Sequence, residues 1–197
     1  TLERWRETQP DLPIVIDPVA VARGGDRLLN PAAFQTLVER LLPLASVLTP
    51  NRRETSWLSG WISGRSSDDL ATIPDLDRPD ELERAGRLLF ETIGRPVLVK
   101  GGAAFPDAPD WLIEADGATR FTTPEGLVKT TATHGSGCVL AAALTVALAQ
   151  GLELTRAVGW AKRFVTRALA RPPGLGPGHG PLGIRHGWDP NDPPTPS

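Results

Sequence analysis

The sequence predicts a three-layer α/β fold around a mostly parallel central sheet, and three observations carry that expectation. Short apolar runs at residues 13–16, 46–49 and 96–100 stop at proline or glycine, as buried parallel strands do. Longer stretches between them repeat apolar residues at helical spacing, so strand and helix alternate. Finally, Asp17, Thr49 and Lys100 stand at the carboxyl ends of these runs, where ligands of open α/β sheets gather.

Taken in order, Thr1-Leu2-Glu3-Arg4-Trp5 reads as a helix already under way, and with no initiator Met the chain is expected to be a fragment or a truncated relative of something longer. The first strand ends in Asp17-Pro18. A Gly-rich loop, Arg23-Gly24-Gly25-Asp26, leads to Asn30-Pro31, an N-cap followed by proline at the first helical position. Phe34, Leu37, Val38, Leu41 and Leu42 then follow helical spacing. Pro50 breaks the second strand, and Asn51 can cap a helix through Glu54 and Trp57. Residues 60–78 lack any period and read as a surface loop.

An amphipathic helix over 80–94 turns Leu82, Ala85, Leu88, Leu89 and Ile93 inward and closes on Gly94. The third strand ends in Gly101-Gly102. Residues 111–113 and 119–122, separated by Asp116-Gly117, predict a hairpin at the sheet's edge. Helices over 137–150 and 154–171 complete the core. From Pro172 onward Gly and Pro dominate, no fold is predicted, and residues 189–197 are expected to be disordered. One domain over 1–182 with a Pro/Gly-rich tail at 183–197 follows from this reading.

A chain of 197 residues is large enough to bury one core. Its formal charge of -2 provides neither a basic stripe for nucleic acid nor a polybasic membrane patch, so small-molecule partners are favoured. One cysteine cannot form an internal disulfide, and no charged-then-apolar leader opens the chain, so a cytoplasmic location is expected. The longest apolar run, 139–149, falls short of the roughly 20 residues that span a bilayer and reads as a buried helix.

The chemistry concentrates at His134-Gly135-Ser136-Gly137-Cys138, which opens that apolar helix. Gly135, Ser136 and Gly137 remove bulk where backbone must approach a ligand, and the first helical N–H groups are left pointing outward. Such donors, at the positive end of a helix, attract phosphate. A short Gly-Ser-Gly turn on its own is more often a plain connector. Cys138, in the first turn, is expected to have a thiol pKa lowered from about 8.5. A Cys138/His134 nucleophile pair or metal pair lacks a third group at recognisable spacing, and His179 and His186 sit in the Gly/Pro-rich tail.

Several segments, in order, resemble the hydroxymethylpyrimidine/phosphomethylpyrimidine kinases of thiamine biosynthesis, in the ribokinase superfamily. Ile16-Asp17-Pro18-Val19 with Gly25-Asp26-Arg27-Leu28-Leu29 is similar to their DPV…GD.LL segment. Leu48-Thr49-Pro50-Asn51 with Glu54 resembles TPN..E, and Lys100-Gly101-Gly102 resembles the KGG turn. Residues 133–138 resemble THGTGC, while 161–166 and 175–182 resemble the close of the family chain. The resemblance spans residues 14–182.

It implies a ribokinase-like fold whose N-terminal part is missing, since the family's opening quarter, with the segment that grips the pyrimidine, has no counterpart here. It also implies transfer of the γ-phosphoryl of ATP to a hydroxymethylpyrimidine and to its monophosphate, with Mg2+ required. Gly135, Ser136 and Gly137 would line the anion hole, and Cys138 would stand where many relatives in the superfamily carry an aspartate base. Asp17, Asn51 and Glu54 would hold the metal and its waters. Thr49, Lys100 and Gly101 would face the nucleotide, as would Lys162, although a lysine on an amphipathic helix is commonly just solvated. A homodimer is the implied assembly.

Departures from the pattern fall at Ala20, Ala103 and Ala132, with the milder Ser136 in place of threonine; they bear on substrate preference more than on the phosphate site. Because the segment that grips the pyrimidine is missing, the isolated chain is expected to lack proper substrate binding. A pyridoxal-type kinase of the same superfamily and a non-catalytic nucleotide- or pyrimidine-binding relative are the alternatives.

Overall fold

The computed structural model describes residues 1–20, 28–65, 76–123, 126–175 and 179–196. The Gly-rich loop at residues 23–26 and part of the 60–78 loop lie outside them. The chain divides into two compact units, Thr1–Ala104 with Asp110–Arg120, and Phe105–Pro109 with Phe121–Ser197.

In the first unit, α1 (Leu2–Thr8) precedes β1 (Val15–Ile16). Arg6 fixes this helix from afar, its guanidinium donating to the Leu44 carbonyl at 2.6 Å. Asn30 caps α2 (Pro31–Thr36) as expected, its side chain accepting from Ala33 N at 2.8 Å. The helical path expected through Leu42 is kept, but its hydrogen bonding changes. A π-helical turn over Leu37–Leu41 and a 3-10 turn over Leu42–Leu44 continue α2, because Pro43 lacks the N–H that another α-turn needs. Phe34, Leu37 and Leu42 still reach the core.

β2 (Val47–Leu48) pairs in parallel with β1 on one side and with β3 (Val97–Lys100) on the other. β4 (Asp110–Glu114) runs antiparallel to β3, and β5 (Gly117–Phe121) follows as its neighbour, so the hairpin occupies the sheet's edge as the sequence predicts. Val47, Leu48, Val97, Leu98 and Val99 are fully buried, the mark of strands covered on both faces. α3 (Arg52–Ile62) packs on α4 (Pro79–Ile93), and α4 lies on β3 and β4. Gly94 ends α4 in the left-handed conformation, at φ 69°. Gly86 permits the close approach of α4 to the sheet: a Cβ there would stand 2.7 Å from Val99 Cγ2 and 3.2 Å from Ile113 Cγ1.

In the second unit, α5 (Ser136–Ala149) packs against α6 (Leu154–Ala170) through Leu140, Leu144, Ala147, Ala157 and Ala161. Glu153 caps α6, accepting from Thr155 N and Arg156 N. The disorder expected from residue 189 onward is not found for 189–196. The tail forms a single helical turn, α7 (Ile184–Gly187), and then runs along α6. Asp192 accepts from Arg163 at 2.9 and 3.0 Å and from Arg167 at 3.0 Å, and its carbonyl takes the Trp160 indole N–H at 2.7 Å. The hydrogen bond from Arg163 holds the Asp192 carboxyl below its ordinary range. Glycine composition misleads here, because the glycines serve contact rather than freedom. A Cβ on Gly187 would meet the Phe164 ring at 2.7 Å, and one on Gly183 would meet the Arg171 carbonyl at 1.9 Å.

Among the described residues no helix is long and apolar enough to cross a membrane. Gly86→Val is expected to cost about 2 kcal/mol or more through overpacking against Val99 and Ile113, read as a lower urea midpoint at unchanged slope.

Candidate active site

Three parallel strands deliver Asp17, Thr49 and Lys100 to one end of the sheet. Their order, β1-β2-β3, makes the three side chains neighbours. Lys100 Nζ donates to Asp17 Oδ1 at 2.7 Å, and Thr49 Oγ1 donates to the same oxygen at 3.1 Å. Lys100 and Asp17 are 10% and 13% exposed, and Thr49 is fully buried, so the pair is shielded from solvent. Lys100, expected as a point charge for phosphate, is thus held against a carboxylate in this structure.

Asn51 and Glu54 begin α3 as a reciprocal cap. Asn51 Oδ1 accepts from Glu54 N at 3.0 Å, and Glu54 Oε2 accepts from Asn51 N at 2.7 Å. Both therefore serve the helix end. Glu54 is 4% exposed, and its burial pushes the carboxyl from 4.5 up to about 7, against the opposing pull of Lys100 and the Asn51 N–H; Asp17 pushes it further up. Asp110, which the sequence did not single out, fixes the turn after β3: its Oδ1 accepts from Gly101 N at 3.1 Å and it is 6% exposed. A lone aspartate at a strand start carries no sequence signal for that task.

In the second unit, Gly135 takes φ 78° at the N-cap of α5, with no side-chain cap. Nothing lies within 4 Å of a Cβ placed there, so glycine is needed for its conformation and not for clearance. Ser136 N reaches the Thr133 carbonyl at 3.3 Å and Val139 N the Gly135 carbonyl at 2.9 Å. Between them, the N–H groups of Gly137 and Cys138 meet no acceptor among the described residues. Cys138 is exposed in this first turn. The Gly/Pro-rich segment lies alongside: His134 bridges to Pro181, and the His179 ring nitrogen is 3.0 Å from the Thr131 carbonyl. Lys162 is buried on α6, not solvated, and its Nζ donates to the Ala108 carbonyl at 2.6 Å. Among the described residues no three His, Cys, Asp or Glu side chains converge on a metal-sized space.

The sequence-selected residues thus fall into an acid–lysine–threonine cluster with a buried carboxyl beside it, and a turn with two open N–H donors. Between pH 4.5 and about 7 the folded chain keeps a proton on Glu54 that the unfolded chain releases. Its contribution to stability is full below 4.5 and lost as pH rises through about 7. Glu54→Gln, which keeps the capping acceptor, is expected to remove about 2 kcal/mol of this pH dependence. Urea unfolding of both proteins at pH 5 and pH 8 in chelator measures it, and parallel profiles would contradict the assignment.

Residues 2–183 match the phosphomethylpyrimidine kinase family. The chain is 42% identical over 174 residues to the hydroxymethylpyrimidine/phosphomethylpyrimidine kinase of Synechococcus elongatus, covering 87% of this chain and 60% of that protein. Against the Haemophilus influenzae enzyme of the same name it is 37% identical, covering 85% and 59%. Among solved structures, the ADP complex of Bacillus subtilis pyridoxal kinase superposes with a TM-score of 0.78 at 32% identity, covering 94% of this chain and 64% of that one. A phosphomethylpyrimidine kinase from Clostridium difficile gives 0.62 at 28% identity, covering 85% and 62%. The chain spans about 60% of the length of these curated relatives. The α/β fold of ribokinase type expected from the sequence is that of these kinases. From the strand-end cluster to the glycine turn, the motifs keep the family's order, and the chain belongs to the phosphomethylpyrimidine kinase family.

Proposed function

We propose that the protein is an ATP-dependent kinase that phosphorylates hydroxymethylpyrimidine and then its monophosphate, in thiamine biosynthesis. One observation carries this reading: the two unpartnered N–H groups of Gly137 and Cys138 at the head of an apolar helix. Phosphoryl transfer asks chiefly for positioning and for stabilisation of charge on the transferred group. Preorganised backbone donors supply that without reorganisation, at roughly 3 kcal/mol each by analogy with an oxyanion-hole donor. Gly135 holds the turn open, and Ser136 lines it. The exposed Cys138 thiol acts as the base toward the acceptor hydroxyl, a modest demand when the acceptor already bears phosphate.

Thr49, Lys100, Gly101 and Lys162 serve the nucleotide in this reading, Lys100 exchanging Asp17 for a phosphate oxygen. Asp17, Asn51 and Glu54 would hold Mg2+, a hard ion that binds through one or two carboxylates while keeping waters and substrate phosphates. The donor set fits: Asp17 Oδ2 and Glu54 Oε1 remain outside the hydrogen bonds described above, and a cation there would displace the proton that burial keeps on Glu54. When bound, the ion neutralises phosphate charge. Residues 1–182 carry these roles, with 183–197 as a tail, and the protein works on small molecules as a cytoplasmic homodimer.

A second reading, a pyridoxal-type kinase, is favoured by the close superposition on the Bacillus subtilis pyridoxal kinase. Turnover of hydroxymethylpyrimidine, its monophosphate and pyridoxal by the full-length enzyme decides between them. Pyrimidine turnover is expected, and exclusive use of pyridoxal would overturn the first reading. In the same enzyme, Cys138→Ala is expected to lower kcat about 100-fold while leaving ATP affinity nearly unchanged; equal activity would remove Cys138 from the chemistry.

A further inference from the structure

A cavity of about 820 Å³ lies within the second unit, bounded by α6, by the segment that follows β5 and by the tail. Its size is typical of small-molecule sites, which run from about 300 to 1,000 Å³. Arg163, Arg167 and Arg171 line it together with His186, Phe121 and Trp188. None of residues 134–138 does, so it is not the anion turn of α5, although Lys162, which the proposed function gives to the nucleotide, lines one wall of it.

The charges are unevenly satisfied. Asp192 takes two donors of Arg163, and Arg167 Nη1 is 3.0 Å from Asp192 and 3.8 Å from Asp189. Arg167 Nε donates to the Gly187 carbonyl at 2.9 Å. Its remaining nitrogen, Nη2, is buried and hydrogen-bonds to nothing among the described residues. A buried charged donor left in that state costs stability until an acceptor meets it. Arg171, exposed at the end of α6, has no side-chain partner among the described residues. Two carboxylates therefore answer three guanidinium groups. Aromatic surfaces share the lining, Phe121 and the indole of Trp188, which is 52% exposed.

We infer that this cavity binds a small aromatic phosphate ester, its phosphate meeting Arg171 and drawing Arg167 Nη2 out of its buried position, and its ring lying against Trp188 or Phe121. Guanidinium groups suit phosphate because their planar forks match its oxygens. Exposed indole and phenyl surface gives the ring a partner at low entropic cost. Asp192 and Asp189 keep Arg167 oriented rather than saturating it, and the tail, through His186 and Trp188, becomes a wall of the site.

The test is a titration of the full chain with phenyl phosphate, read by calorimetry and by the Trp188 indole N–H resonance, assigned with Trp188→Phe. The Trp188 signal is expected to shift, phenyl phosphate to bind more tightly than inorganic phosphate, and Arg171→Gln to weaken binding at least fivefold. Arg87→Gln, a charge change on α4, is expected to leave it unaltered. An unmoved Trp188 signal, a smaller loss in Arg171→Gln, an equal loss in Arg87→Gln, or equal affinity for the two phosphates overturns the inference. The readout is binding at Trp188 and not turnover, so its failure is distinct from failure of the kinase reading.

Discussion

The contact on which the first unit's chemistry depends is the shared oxygen of Asp17, which receives Thr49 from the neighbouring β2 and Lys100 from β3 beyond it. A lysine and a carboxylate this well shielded satisfy each other, and removing one partner of a buried pair typically costs about 3–5 kcal/mol. The pair ties the carboxyl ends of β1 and β3 across β2, which fixes where the Pro50-Asn51 turn leaves the sheet. Lys100 N donates to the Pro50 carbonyl at 2.8 Å, so the backbone ties the ends of β2 and β3 as well. α3 then starts where Asn51 and Glu54 cap each other. The buried carboxyl of Glu54 is a consequence of that position.

Sequence pattern exposed this arrangement to the extent that it was local. The strands announced themselves because a run such as Val97-Leu98-Val99 is apolar on both faces, and the caps did so because Asn30-Pro31 and Asn51…Glu54 carry their own hydrogen-bond logic. The hairpin at Asp116-Gly117 was equally plain. Spacing could not reveal which polar partners meet across the sheet. Asp17 and Lys100 are 83 positions apart, and Asp110 looked like any strand-opening residue until its side chain was found on Gly101 N. The periodicity of Leu37, Val38 and Leu41 followed the helical path but could not show that its hydrogen bonding turns π-helical and then 3-10 before Ala45.

The tail was misread for a related reason. Composition treats glycine and proline as signs of freedom, yet Gly183 and Gly187 are small so that the chain can lie against Arg171 and Phe164. The signal that could have corrected this is charge complementarity: Asp189 and Asp192 follow an α6 whose exposed face carries Arg163 and Arg167. Lys162 shows the opposite failing, since its amphipathic setting suggests solvent while the fold buries it against the Ala108 carbonyl.

The hold of the tail on α6 has a consequence for how this unit is made. Trp160, Arg163 and Arg167 leave the ribosome before residues 187–192, which supply their partners. Until those residues emerge, α6 displays two arginines and an indole without their eventual acceptors. The second unit thus reaches its final packing only after those residues have emerged, and nascent chains stopped just after Arg171 would present a basic, partly apolar helix to whatever they encounter first.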